Sequence, residues 1–371
     1  MIRWRSGEVS ALGQSWPGAV ELEVIVDGSR VPALAYPAMT GMPQPGDRVL
    51  LNVGALEAGL GTGGYALVVA IPDRLPPDAD GPGHLIKARY TPLQATVLGA
   101  DEQGSAHYDQ MRDADDLGGL PVVIADLHSA LPAILAGYRA ERPVAADSAP
   151  PKVTYVMLDG GALPAWFSRT AAALKELGWL TGTVTAGQSF GGDVEAVTLH
   201  SGLLAARLVL GADLAVVTQG PGNLGTGTRW GFSGVACGEA VNAAAVLGGR
   251  PVGSLRISQA DPRQRHRGIS HHSLTAYGRA ALTAADIVVP ELPGDFGAQV
   301  MAAAAPLAGR HNLVRVSVAG LAEVLQACPV RLSSMGRGLA EDPAYFLAAA
   351  AAGRHAASLP PPRPAGRGGG S

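Results

Sequence analysis

Residues 213–234 read DLAVVTQGPGNLGTGTRWGFSG. The run Leu214 to Thr218 is apolar without alternation, as a strand covered on both faces requires. Gly220, Gly222, Gly225, Gly227, Gly231 and Gly234 follow, interleaved with Asn223, Thr226, Thr228 and Arg229. Glycine permits positive φ and lets a ligand come close to the backbone. Free N–H groups, hydroxyls and one guanidinium in such a loop suit an anion, phosphate above all. The small-residue stretch FSGVACGEAVNAAAVLG then reads as a helix, so the segment is one strand–loop–helix unit.

The same rhythm runs outward from about residue 120. PVVIAD precedes the helical LHSALPAILAGYRAE, and VTYVML precedes LPAWFSRTAAALKELG. TGTVTA, VGSLRIS, DIVVPEL, NLVRVSV and VRLSS are each followed by a helical stretch of their own. Strands alternating with helices at about thirty-residue spacing predict an α/β fold with a parallel sheet of βα units, doubly wound in three layers. Roughly eight such units also allow closure into a barrel, the alternative architecture. Residues 1–80 differ, with VELEVIVDG, DRVLLNVG and YALVVAI set between Gly/Pro turns, the pattern of a small all-β barrel or sandwich. GLGTGGY, ending at Tyr65, reads there as a hairpin connection. The expected division is therefore 1–80 for the β domain, 81–120 for a connecting segment, 121–355 for the α/β domain, and 356–371 for a disordered Pro/Gly-rich tail.

Composition narrows the function classes. Apolar residues make up 47% and charged residues only 16%, which indicates a well-buried globular chain. A net charge of −3 supplies no global basic field to recruit nucleic acid or a membrane surface. The two cysteines, Cys237 and Cys328, make no disulfide framework and no CxxC site. The start lacks a signal-peptide apolar run, so a cytoplasmic location is expected.

Candidate chemistry gathers in the loops after the strands, where parallel α/β folds bind ligands. Gly220, Gly222 and Gly225 match GxGxxG, yet with 50 glycines in 371 residues roughly one match arises by chance. Gly187, Ser189 and Gly191 match GxSxG, so a serine-type hydrolase on Ser189, with Asp261 or Asp286 and with His271 or His311, is one alternative function. Asp126, His128, Asp159, His266, His271 and His272 are the residues considered for metal binding. No metal site is expected from them: HxxxH spacing is absent, adjacent histidines diverge on a helix, and Arg263, Arg265 and Arg267 surround His266. Those arginines suit a phosphate or carboxylate instead. Cys237 reads as a buried structural cysteine, and His200 as a satisfied core histidine.

The leading expectation is an enzyme that binds a small phosphorylated or anionic ligand, a nucleotide or sugar phosphate, at the strand C-terminal edge. Gly220, Gly222, Asn223, Gly225, Thr226, Thr228 and Arg229 hold the anion, and Arg263, Arg265 and Arg267 neutralise it. Asp159, His271 or His272 transfer protons. A non-catalytic ligand sensor or scaffold is the second alternative, and the residues identify no cofactor or protein partner.

Taken together, LGTGGY, LDGGALP, GQSFGGD, QGPGNLGTGT and GISHHSLTAYG resemble a bacterial family known only as a domain of unknown function. The resemblance covers nearly the whole chain and implies a cytoplasmic bacterial protein. It brings no activity, substrate or catalytic residue.

Overall fold

The computed structural model describes residues 2–143 and 149–364. Near the N-terminus five strands close into a barrel in the order β1-β2-β3-β5-β4. They are β1 (Trp4–Trp16), β2 (Ala19–Val26), β3 (Ser29–Ala35), β4 (Arg48–Asn52) and β5 (Ala66–Ala70). Alternation decides their faces: Val20, Leu22, Val24 and Val26 of β2 are buried and join Val49, Leu51 and Val68 in the barrel core. Closure removes the free sheet edges that so short a β unit would otherwise expose. GLGTGGY lies in the connection between β4 and β5, which pair antiparallel.

The second unit is an open sheet of eight parallel strands with helices on both faces. Its strands are β6 (Pro121–Ile124), β7 (Val153–Leu158), β8 (Gly182–Thr185), β9 (Val194–Glu195), β10 (Leu214–Gln219), β11 (Arg250–Ser254), β12 (Asp286–Glu291) and β13 (Asn312–Ser317). Their order across the sheet is β9-β8-β7-β10-β6-β11-β12-β13, which rules out closure into a barrel. Successive residues serve opposite faces, so Val122 and Ile124 enter one core while Val123 enters the other. The first core packs α3 (Leu199–Leu208), α4 (Ala236–Val246) and α6 (Gly294–Ala304). The second packs α1 (Leu131–Glu141), α2 (Arg169–Glu176), α7 (Leu321–Gln326) and most of α8 (Pro343–Ser358).

This order places β6 at a switch point. From β6 the chain runs to α1 on one face, whereas from its neighbour β10 it runs to α4 on the other. Adjacent strands whose connections part in this way leave a crevice at their carboxyl ends.

Several sequence expectations change. VRLSS stays outside the main sheet: Ser333–Ser334 pairs with Arg337–Gly338 as a separate hairpin, and the two-residue β9 takes the eighth place at the far edge. The region from 356 begins inside α8, which continues to Ser358. Beyond it the Arg363 N–H donates to the Gly118 carbonyl at 2.7 Å, and the Arg250 guanidinium donates to the Pro360 carbonyl at 3.0 Å. Residues 365–371, to which the expectation of disorder also applied, lie outside the described residues. His200 is exposed in the first turn of α3 rather than in the core. Among the described residues, no helix is long and apolar enough to cross a membrane.

Candidate functional site

Asp126 lies two residues beyond the end of β6, Gln219 ends β10, and Arg256 lies two residues beyond the end of β11, close to level with one another at the switch point. The Gln219 side-chain amide donates to the Asp126 carbonyl at 2.7 Å, tying the first two strand ends together. Asp126 and Arg256 are both buried, with Arg256 Nη1 3.6 Å from Asp126 Oδ2.

The loop after β11 then folds back on itself. Ile257–Ser258 pairs antiparallel with Gly268–Ile269, and the turn Gln264–His266 at the tip returns His266 to the start of the short helix α5 (His271–Thr275). Ser270 caps that helix, its Oγ accepting the His272 N–H at 3.2 Å. The same hydroxyl lies 2.7 Å from His266 Nδ1. As a result His266, His271 and His272 converge, with one ring nitrogen of each within 4.8 Å of the others. The sequence expectation that His271 and His272 diverge fails here because they occupy the first turn, where the hairpin brings a third imidazole between them.

Phe232, the last aromatic residue of the glycine loop, stacks on His272 at 3.9 Å with an interplanar angle of 5°, and meets His271 edge-on. Gly234 packs tightly here, since a Cβ there would lie 3.0 Å from the Asp126 Cβ. Further out, a Cβ at Gly227 would lie 3.5 Å from the Arg265 guanidinium carbon. The two segments that stood apart in the sequence therefore form one surface.

Charge at the base of the hairpin is largely matched. Asp261 receives a two-pronged contact from Arg263 (Nε to Oδ1 2.9 Å, Nη2 to Oδ2 2.8 Å), and Arg337 reaches it at 3.2 Å. Burial alone would raise Asp261, but the hydrogen bonds and charge of Arg263, with Arg337 beyond, hold it well below the usual carboxylate range. Arg337 also contacts Asp342 at 3.2 Å. Arg263, expected to neutralise a ligand, is thus committed to Asp261. Arg229, Arg265 and Arg267 are exposed.

Burial works against the Asp126 carboxylate, yet His272 and the Arg256 charge prevail and keep its pKa low. His266 is pushed down to about 3 by burial and by Arg256 and Arg263, and His271 is lowered by burial and its cationic neighbours. These two imidazoles are neutral at neutral pH. Buried polar atoms almost always find partners. Here Asp126 Oδ2, Gln219 Oε1, Asn223 Nδ2 and His271 Nε2 have none among the described residues, and all four lie at or beyond the carboxyl ends of these strands.

Other expected residues lie apart from the cluster. Asp159 follows β7, three strand positions from β11, or roughly 14 Å at the usual strand spacing. Its carboxylate accepts the Gln188 N–H at 2.8 Å and so braces the turn at Gly187. Thr226 and Thr228 are hydrogen-bonded to each other at 3.0 Å, closing the tip of the glycine loop. His128 contacts Tyr155 and Ser168.

The surroundings of Ser189 lend the hydrolase reading no support. A nucleophile elbow joins a strand to a helix and exposes its serine. GQSFGGD instead joins β8 to the strand β9, and Ser189 is fully buried with Oγ unpartnered among the described residues. His311 and Asp286 are engaged elsewhere, with the Tyr277 carbonyl and with His355. The loop encloses the buried Lys87, whose ammonium donates to the Gly187, Ser189 and Ala196 carbonyls. Cys237 is buried and free, and burial pushes its thiol pKa well up.

Volume does not mark this edge. A cavity of about 270 Å³ lies against Pro121, Tyr138 and Arg142 at the opposite end of the strands, and one of about 520 Å³ lies between Leu85–Tyr90 and Gly187–Gln188. Neither gathers histidines and carboxylates at the carboxyl ends of adjacent central strands as the switch point does, so chemistry locates the candidate site better than size.

Sequence reasoning missed Arg256. An arginine directly after an apolar strand, as Asp126 follows β6 five strands earlier in the chain, was the available signal. No curated protein matches the chain. The family described as "Protein of unknown function (DUF3866)" matches residues 32–353, a span that takes in the whole parallel sheet and every loop of the candidate site, and the chain belongs to that family.

Proposed function

We propose that this protein is an enzyme that binds a small anionic ligand at the carboxyl edge of β6, β10 and β11 and transfers a proton to or from it. The class to try first is a nucleotide or sugar phosphate. The observation that carries the reading is the meeting of the glycine loop with the histidine hairpin, through Gly227 against Arg265 and Phe232 against His271 and His272.

Bare backbone at Gly222, Gly225 and Gly227 leaves N–H groups open to an anion. Arg265 and Arg229 are the cations nearest to that backbone in structure and in sequence, and neither has an ion-pair partner among the described residues. His271 is half-buried, and a neutral imidazole at the rim is the form that accepts a proton. Asp159 is set aside from this role by its distance from the histidines.

Thermal unfolding with a panel of nucleotides, sugar phosphates and inorganic phosphate, run both in EDTA and with added Zn²⁺, tests the reading. A ligand at 100 times its Kd adds about 2.7 kcal/mol, or roughly 5 °C for a chain of this size. That shift is expected to fall away in Arg265→Ala and to shrink in Arg229→Ala. No shift from any phosphate removes the proposal.

A further inference from the structure

We propose that His266, His271 and His272 form a binding site for one divalent first-row transition-metal ion such as Zn²⁺. This rests on the same crevice as the reading above and departs from the expectation of no metal. An ion held by His271 takes the lone pair that the proton-transfer reading uses, so the ion-bound form would bind the anion without His271 as base.

The donor set is the first argument. Three imidazoles from a hairpin tip and a helix start place one nitrogen each within 4.8 Å of the others. Nitrogens bound to a common tetrahedral ion at 2.0–2.1 Å stand about 3.3 Å apart, so side-chain rotations of roughly an ångström complete the site. Imidazole nitrogen suits zinc, iron, copper or nickel rather than magnesium or calcium.

The outer partners are the second argument. Metal-bound histidines fix their free nitrogen on a hydroxyl, carbonyl or carboxylate, which directs the other nitrogen at the ion. His266 has Nδ1 on the Ser270 hydroxyl at 2.7 Å, leaving Nε2. His272 has Nδ1 3.5 Å both from Asp126 Oδ2, a buried acceptor without any formed hydrogen bond among the described residues, and from Arg256 Nη1. Both contacts fall on Nδ1, so Nε2 is the nitrogen left for an ion. His271 Nε2 is itself buried and unpartnered, an otherwise costly state that an ion would relieve. Phe232, flat on His272, restrains that ring further.

Electrostatics decides whether a cation is tolerated. The sequence places Arg263, Arg265 and Arg267 around His266, which argues for repulsion. In the structure Arg263 and Arg337 are paired with Asp261 and Asp342, and Arg256 lies between Asp126 and Asp261. Arg265 and Arg267 are exposed, where water and salt screen them. Three buried carboxylates thus face three buried or half-buried guanidiniums, and the site is not strongly cationic.

An open coordination position on such an ion would face the glycine loop. An anionic oxygen can occupy it while Arg265 and the loop N–H groups hold the rest of the ligand.

The test uses the full chain, stripped with a chelator and titrated with Co²⁺ without any anionic ligand. Uptake of a single equivalent, with the visible absorption of a nitrogen-ligated cobalt ion, is expected. Zn²⁺ should displace it. His271→Ala and His266→Ala should abolish the band, and Asp126→Asn should weaken binding roughly 10–100-fold through His272. His200→Ala, at an exposed histidine outside the cluster, should leave it unchanged. No uptake by the wild-type chain overturns the inference, whatever the variants do. An undiminished band in a folded His271→Ala protein also overturns it. Because phosphate shifts are read with and without a metal ion and cobalt uptake is read without phosphate, either proposal can fail while the other stands.

Discussion

At the residue scale the clearest case is His128. Its ring bridges the Tyr155 hydroxyl at 2.9 Å and the Ser168 hydroxyl at 2.7 Å, and burial pushes its pKa down to about 4. An unfolded histidine titrates near 6.5. Between those values the unfolded chain binds a proton that the folded chain refuses, so stability falls as pH drops from about 6.5 to about 4 and then levels off. The side chain is only half-buried, and solvent reduces the effect to about 1–3 kcal/mol. His128→Gln should therefore melt with a shallower pH dependence than wild type across that window; equal slopes would refute the assignment. The sequence shows that His128 follows a strand but not that a serine 40 residues on will cap α2 beside it. The glycines were easier to read as a loop than as contacts. That Gly234 packs against Asp126 depends on the order of strands, which no local pattern carries.

Elements were more legible than residues, for a physical reason. A strand covered on both faces must be apolar throughout, so β6, β7, β10 and β12 announce themselves. VRLSS is also apolar at its start, but pairing it into the sheet needs an open edge beyond β13 that the chain does not use. Helix packing was hidden for the opposite reason, because small residues look neutral in sequence. In α1 and α8 they allow very close approach: a Cβ on Gly353 would sit 1.9 Å from the Ile134 carbonyl oxygen, and one on Gly137 would sit 2.0 Å from that of Ala350. Gly353→Ala gains about 1 kcal/mol of helix propensity. Against that, overpacking costs about 1–3 kcal/mol or more when the obstacle is backbone that cannot turn aside. The clash should win, and Gly353→Ala should lower Tm by several degrees in a circular-dichroism melt. An unchanged or raised Tm would mean that these helices separate at little cost.

For the whole molecule, the question is how a β-barrel comes to matter to a site on the parallel sheet. The barrel was expected, but its seat was not, because the contact rests on one tryptophan in an unremarkable loop. Trp166 lies between two glycines at positive φ, Gly18 of the barrel and Gly191 of the loop before β9; a Cβ at either would fall within 2.6 Å of its ring. Tyr36 and Phe190 flank it at 6.1 and 5.6 Å. Trp16 donates its indole N–H to the Trp166 carbonyl at 2.6 Å, and Arg169 pairs with Glu21 while covering the Trp16 ring at 4.5 Å. The segment that carries Trp166 also supports the glycine loop. The Ala162 N–H donates to the Pro221 carbonyl at 2.8 Å, and Gly161 presses so closely on Gly220 that a Cβ would meet its oxygen at 2.2 Å. Barrel, Trp166 segment and glycine loop are therefore one continuous stack. Trp166→Ala removes a half-buried aromatic side chain, for which about 2–3 kcal/mol is a reasonable loss. That loss falls at the seam between two independent cores, so it should weaken their coupling more than either core. Calorimetry of the full-length variant should then show the barrel melting ahead of the sheet, with protease cleavage appearing first between Pro72 and His84. The phosphate-dependent shift should shrink as well, since the root of the glycine loop loses its support. A single transition at the wild-type temperature, with protease resistance intact, would show that the barrel is held by its charged contacts and that Trp166 merely fills space.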